Sequence, residues 1–146
     1  AALINIKNII TNDPNQALRT WDNSSSSPCL WDHIKCYDPD NTYVTDISLS
    51  NQSLSAELAQ LAYPLTLLPM LKQLDLSFNQ LTGGLPGEFG HLNVTFLSLN
   101  DNLLTGEIPW AFADMQKLQW LYLQDNNLSG CFPQTLYPDH GQLLYV

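Results

Sequence analysis

The sequence predicts an α/β repeat fold: a solenoid with a short parallel β-sheet on its concave face and a helical cap at the N-terminus. One motif occurs three times, at residues 71–86, 94–109 and 118–133. Within each copy the apolar residues at the fourth and sixth positions alternate with positions expected to be exposed, the period-two pattern of a strand with one buried face. Ahead of the repeats, segment 2–10 places apolar residues at helical spacing, which indicates a short amphipathic helix.

The repeat length supports stacked coils. The aligned asparagines Asn79, Asn102 and Asn126 are 23 and 24 residues apart, a step typical of solenoids. A weaker copy starts at residue 44, and we predict that its extended segment 59–70 forms an enlarged loop on the convex side. One coil cannot bury its own apolar side, so the stability of such a chain comes from stacking between neighbours.

These periods divide the chain into a cap, four repeats and a short remainder. Residues 1–43 form the cap, residues 44–70, 71–93, 94–117 and 118–142 form the repeats, and residues 143–146 start a further repeat or serve as a C-terminal lid. In the remainder, Leu143 and Val146 fit the first and fourth repeat positions.

The repeated asparagines are predicted to be structural. A carboxamide both donates and accepts hydrogen bonds, so it can satisfy backbone groups in a turn that has no strand partner. We therefore expect Asn79, Asn102 and Asn126 to form a ladder and assign them no ligand.

The copies LDLSFNQLTGGLP, LSLNDNLLTGEIP and LYLQDNNLSGCFP resemble the plant-type extracellular leucine-rich repeat. The resemblance implies a right-handed leucine-rich-repeat solenoid with a second short strand in each coil. Relatives of this type are ectodomains of receptor-like kinases and receptor-like proteins, short co-receptors, and polygalacturonase-inhibitor-like proteins. The family's C-terminal cysteine-paired cap has no counterpart here, so we expect a longer solenoid or a partner that covers the last coil.

The order Trp21, Cys29, Trp31, Cys36 resembles the N-terminal cap of the same family. The resemblance implies a Cys29–Cys36 disulfide. The alternative is a zinc site that also uses His33, although a fourth ligand is missing and the spacing matches no common structural site.

The third cysteine, Cys131, has no partner in the sequence. We expect it to be a small, buried and inert residue. The alternative is a reactive thiol or a link to another chain.

Composition favours an oxidising, extracellular compartment and excludes some partners. Four sequons offer glycosylation candidates at Asn23, Asn51, Asn93 and Asn127. The chain carries 5 basic and 14 acidic residues, so nucleic acid and anionic membrane surfaces are poor partners. It has no apolar run of membrane-spanning length, and we expect no direct membrane insertion by this segment.

Alternation places outward-pointing strand residues on the concave face. The residues predicted to bind a ligand are Phe78, Phe96, Trp120, Tyr122, Asp75, Asp101, Gln124 and Asp125. Asp46, Ser48, Ser50, Asn51, Gln73, Ser77, Ser98 and Asn100 complete the predicted face. The aromatic residues have most weight because exposed rings supply large contact area at low entropic cost. Asp101 and Asp125 share one repeat position, where a solvated acidic rim is the simpler interpretation and a cation site the alternative.

No motif favours catalysis or a cofactor. His33, His91 and His140 lie outside any nucleophile elbow, metal-binding helix or phosphate loop. We expect no enzyme activity, no cofactor and no metal.

The leading hypothesis is a non-enzymatic extracellular recognition module that binds a protein or peptide through its concave face. A first alternative is a structural subunit of a larger assembly, with the open C-terminal coil buried against a partner. A second is ice binding, since Ser55, Thr82, Thr105 and Ser129 form a hydroxyl row at one repeat position.

Overall fold

The structure, a computed structural model, describes residues 1–23, 27–37, 43–131, 133 and 143–145. Within these residues the strands in chain order are β1 (Ile34–Cys36), β2 (Val44–Ser48), β3 (Ser55–Glu57), β4 (Gln73–Asp75), β5 (Gln80–Gly84), β6 (Phe96–Ser98), β7 (Leu103–Glu107), β8 (Trp120–Tyr122), β9 (Asn127–Ser129) and β10 (Leu143–Tyr145). The helices are α1 (Ala2–Ile9) and α2 (Leu58–Thr66).

The strands form two sheets that run along the solenoid. The first has the order β1-β2-β4-β6-β8-β10, and the second has the order β3-β5-β7-β9. All pairs are parallel except β1 with β2. The second sheet confirms the second strand per coil that the family resemblance implies.

The register of the first sheet stacks the fourth-position leucines Leu74, Leu97 and Leu121. All three are fully buried, so each strand turns one apolar side to a core that continues from coil to coil. The α/β solenoid predicted from the repeat is confirmed.

The register of β10 corrects one expectation. Leu144 pairs with Leu121, so Leu144 occupies the fourth position that we predicted for Val146, which lies outside the described residues. The physical reason is the coil step: Leu144 follows Leu121 by 23 residues, the same step that separates Leu74 from Leu97.

The segment predicted as an enlarged convex-side loop contains helix α2 instead. Pro64 lies inside this helix, where it removes one backbone hydrogen bond. Leu58, Leu61 and Leu65 repeat at helical spacing and are all buried. Burial of this apolar face outweighs the cost of the proline.

The convex side of the later coils consists of short 3₁₀ helices at Gly87–His91 and Trp110–Asp114. Each inserts a phenylalanine into the core, and the rings of Phe89 and Phe112 stack with centroids 6.3 Å apart. Trp110 remains largely exposed on this side.

The cap closes the first coil. Trp21 is fully buried, stacks on Trp31 with ring centroids 5.9 Å apart, and donates a hydrogen bond from Nε1 to the Asp32 carbonyl. Strand β1 pairs with the outer edge of β2, which protects an edge that would otherwise be open. The Cys29–Cys36 disulfide is confirmed, and it uses the two sulfurs that the zinc alternative required.

The asparagine ladder is confirmed. Asn102 donates from Nδ2 to the carbonyls of Leu76, Leu99 and Asn100 and accepts from the Leu81 N–H at Oδ1. Each asparagine therefore ties its own coil to the preceding one. Asn79 and Asn126 make the same kind of contacts.

The expectation that Cys131 is buried is wrong. The thiol is free and exposed, because Cys131 follows Gly130 at the repeat position held by Gly84 and Glu107 in the earlier coils. That position points outward from the second sheet, as the exposure of Glu107 shows.

Candidate recognition surface

The concave face is built from three rows of residues that cross the first sheet. The third-position row is Asp46, Gln73, Phe96 and Trp120, and the fifth-position row is Ser48, Asp75, Ser98 and Tyr122. The eighth-position row follows the strand ends and is Asn51, Phe78, Asp101 and Asp125. Neighbours within a row are about one strand spacing, ~4.8 Å, apart.

Three of the predicted aromatic residues come together at the C-terminal end of this face. Phe96 pairs directly with Trp120 across β6 and β8. The Phe96 and Tyr122 rings lie with centroids 5.6 Å apart at an interplanar angle of 45°. Trp120 retains 38% of its surface in solvent, while Phe96 and Tyr122 are half-buried. We call Phe96, Trp120 and Tyr122 the aromatic cluster.

Four polar residues predicted on the exposed face are buried instead: Asp46, Ser77, Ser98 and Asn100. Their hydrogen bonds explain the difference. Ser77 Oγ donates to Asp75 Oδ1 over 2.6 Å, and Ser98 Oγ donates to Asn100 Oδ1 over 2.6 Å. These short side chains fold against the sheet and leave the longer aromatic and acidic ones outermost.

The eighth-position row has an unusual backbone. Asn51, Phe78, Asp101 and Asp125 all have positive φ, between 54° and 56°. Asparagine and aspartate tolerate this left-handed region, whereas a bulky residue there is strained. Phe78 is the exception in its row, and 52% of its surface is exposed. Packing therefore does not compensate the strain, and strain of this kind is a reason to look for function.

Sequence reasoning selected Phe78 for its aromatic ring but missed its strained backbone. The signal was present, because the aligned residues Asn51, Asp101 and Asp125 are all types that favour a left-handed conformation.

Replacing Phe78 by asparagine is expected to stabilise the protein. Phe78→Asn should raise the free energy of unfolding by about 1 kcal/mol, because asparagine relieves the left-handed strain. The measurement is urea denaturation. Leu103→Asn is the matched control: Leu103 is 57% exposed and lacks positive φ, so this change should bring no gain. If the free energy of unfolding of Phe78→Asn were equal to or below that of the wild type, the backbone of Phe78 would not be strained.

The predicted ligand-binding aspartates differ in how many hydrogen bonds their carboxylate oxygens already accept. Asp75 Oδ1 accepts from the Ser77 backbone N–H and hydroxyl. Asp101 Oδ2 accepts from Asn100 Nδ2 over 2.7 Å. Asp125 is exposed. Beside it, the carboxamide oxygen of Gln124 is buried and has no hydrogen-bond partner within the described residues.

A metal site at this rim has no support in the described part of the chain, where no group of three His, Cys, Asp or Glu side chains comes together. His33 Nδ1 lies 3.0 Å from the Ser48 carbonyl, and His91 is on the convex side. His140 lies outside the described residues. Among the residues that the structure describes, the histidines therefore do not lie together in a catalytic arrangement.

All four sequon asparagines, Asn23, Asn51, Asn93 and Asn127, are exposed. Their glycosylation stays a prediction. Asn51 belongs to the eighth-position row and stands next to Phe78, so a glycan there would border the concave face.

The hydroxyl row proposed for ice binding does not form a straight array. In the second sheet Thr82 pairs with Glu57 and Leu103, and Thr105 pairs with Gly84 and Asn127. The hydroxyls therefore step obliquely between other side chains. This register does not favour ice binding.

A cleft of about 420 Å³ lies between the cap and the end of α2. Its lining includes Trp31, Tyr43, Leu67 and Met70. It is separate from the concave face. As for membranes, neither α1 nor α2 has the length and apolar character needed to span a bilayer, and the described residues contain no other candidate.

Comparison with known protein families matches most of the chain. A model described as Leucine rich repeat N-terminal domain matches residues 1–37. A model described as Leucine Rich Repeat matches residues 70–92, 93–115 and 117–138.

Related chains are plant receptors. The brassinosteroid LRR receptor kinase BRL3 of Oryza sativa subsp. japonica is 41% identical over 148 residues, which cover 93% of this chain and 12% of the relative. The chain spans about a tenth of the length of the curated relatives it matches.

Two solved structures extend the likeness to the whole fold. The BIR2 ectodomain from Arabidopsis thaliana superposes with a TM-score of 0.88 at 28% identity, covering 98% of this chain and 75% of that one. The Arabidopsis receptor kinase HAESA ectodomain, in complex with an IDA peptide hormone ligand, gives a TM-score of 0.64 at 26% identity, covering 99% and 28%. The chain therefore belongs to the plant-type leucine-rich-repeat family, with the cap and coils of receptor-like ectodomains.

Proposed function

We propose that this chain is a non-enzymatic recognition module that binds a polypeptide, either a free peptide or a segment of another protein, through its concave face. The observation that carries the proposal is the aromatic cluster, three rings gathered on an open sheet face. Phe78 adds a fourth ring at the edge of the same face.

Binding through side chains follows from the architecture. The backbone groups of β4, β6 and β8 are engaged with neighbouring strands, so the interior of this sheet offers few main-chain groups to a ligand. Affinity must come from side chains, and tryptophan and tyrosine are the residues that most often dominate binding energy. Ser98, between Asp75 and Tyr122 in the fifth-position row, is short and buried, so the rings are the larger side chains of this part of the face.

The comparisons support a recognition role. HAESA is described with a peptide hormone bound, and BIR2 is described as an ectodomain. The relatives named as kinases match this chain over about a tenth of their length, so the similarity concerns repeats and lends the chain no kinase activity.

An extracellular location fits the same proposal. The cap disulfide is of the kind that persists in oxidising compartments. The four exposed sequons are acceptors in a secretory pathway. We therefore expect the concave face to meet its partner outside the cell.

The four tryptophans provide a direct test. Trp120 lies on the concave face, Trp110 is exposed on the convex side, and Trp21 and Trp31 are buried in the cap. The partner used is a dodecapeptide selected from a random display library against the wild-type protein. In hydroxyl-radical footprinting with this peptide, oxidation of Trp120 should fall severalfold while oxidation of Trp110 stays unchanged.

Trp21 and Trp31 act as internal controls, because their low oxidation should be the same with and without peptide. Protection of Trp110 with no protection of Trp120 would move binding to the convex side and overturn the proposal.

A further inference from the structure

The concave face is polarised in charge. The aspartates Asp101 and Asp125 follow β6 and β8, at the edge where the strands end. Asp75 adds a third carboxylate within the face, on β4. Since the strands are parallel, these strand ends lie on the same side of the sheet.

None of the five basic residues forms an ion pair with these three aspartates in the described part of the chain. Lys7 donates to the Trp21 carbonyl over 2.8 Å, and Arg19 pairs with Asp32 in the cap. Lys72 and Lys117 precede β4 and β8, so they lie at the opposite edge of the sheet.

Lys35 completes the set. It lies on β1, at the N-terminal border of the sheet beyond β2. Lys35 pairs with Asp46 and so belongs to the same face, but β1 is two strands from β4 and farther from β6 and β8. Asp75, Asp101 and Asp125 therefore have no cation beside them on the face.

Asp101 and Asp125 are held side by side. The Asp101 N–H donates to the Gln124 carbonyl over 3.0 Å, and the Asn102 N–H donates to the Asp125 carbonyl over 3.3 Å. With φ of 54° and 56° the two residues share one backbone geometry, so their side chains leave the sheet in the same direction.

The two carboxylates at this rim keep acceptor oxygens open. Asn100 engages one oxygen of Asp101, and no hydrogen bond to the Asp125 carboxylate is made by a described residue. Beside them, the carboxamide oxygen of Gln124 is buried and has no hydrogen-bond partner within the described residues. A planar guanidinium carries N–H donors in an arrangement that fits carboxylates, so it is a suitable partner for Asp101 and Asp125.

We propose that the polypeptide bound by the concave face is basic: an arginine or lysine side chain is held by Asp101 and Asp125, and an apolar residue contacts the aromatic cluster. This inference rests on the proposed function and specifies the chemistry of its partner. Complementary charge also speeds association and makes binding sensitive to salt.

The test begins with the same display selection. Selected dodecapeptides should be enriched in arginine and lysine. Affinity of the leading peptide should fall about tenfold for the double variant Asp101→Asn/Asp125→Asn. It should also weaken as sodium chloride is raised. Asparagine tolerates the left-handed backbone at both positions, so the double variant should fold normally.

Asp114→Asn is the matched control. Asp114 is an exposed aspartate at the end of the convex 3₁₀ helix, and its removal should leave affinity unchanged. Neutral or acidic selected peptides, or full affinity of the double variant, would overturn the inference. Trp120→Ala separates the two proposals: if it weakens binding while the aspartate variant does not, the recognition face stands and only the basic partner fails.

Discussion

Replacing Asn102 by leucine should lower the free energy of unfolding by about 3 kcal/mol, because several buried polar groups lose their partners together. The Asn102 carboxamide serves the Leu81 N–H and the carbonyls of Leu76 and Leu99. Leucine has a similar volume, so the loss reports unsatisfied hydrogen bonds and not a cavity. Urea denaturation measures it.

Asn126→Leu is the matched comparison. Asn126 makes equivalent bonds to Leu104, Leu99 and Leu123 but is only half-buried. Water can reach the freed groups there, so we expect a loss of about 1 kcal/mol. Equal losses at the two positions would mean that burial does not control the strength of the ladder.

The repeat made much of the fold predictable. A residue such as Leu97 or Asn102 sits in an environment that the adjoining coils reproduce, so its role follows from its position in the period. The disulfide was implied by the tryptophan and cysteine order of the cap. These features depend on local spacing, which a sequence displays directly.

Other features depend on contacts between coils and were not predictable in the same way. Pro64 indicates a break in a helix, yet burial of α2 outweighs that local preference. Alternation predicts an exposed Asn100, but the residue folds onto Asp101. Cys131 is exposed because its repeat position is outward, whatever residue type occupies it.

In the candidate site, too, some features could be predicted from local spacing and others depended on contacts between coils. Sequence located the aromatic residues and aspartates on one face, and the structure shows that Phe96, Trp120 and Tyr122 form one cluster. The positive φ of Phe78 was visible in its aligned neighbours, whereas the short hydrogen bonds that bury Ser77 and Ser98 required coordinates. That these residues bind a partner remains our proposal.

Loss of the rings should have the largest effect on binding. The double variant Trp120→Ala/Tyr122→Ala should weaken binding of the display-selected peptide about a hundredfold, or ~2.7 kcal/mol, because it removes most of the exposed aromatic area at the centre of the cluster. Neither side chain is fully buried, so the fold should survive. Thermal denaturation checks that it does.

The most direct test of concave-face recognition compares this variant with Trp110→Ala/Tyr63→Ala, in the same binding titration. The control removes the same two residue types from the convex side, where Trp110 is 67% and Tyr63 69% exposed. Concave-face recognition predicts a hundredfold loss for the first variant and unchanged affinity for the second. Unchanged affinity for the first variant, or an equal loss in both, would contradict it.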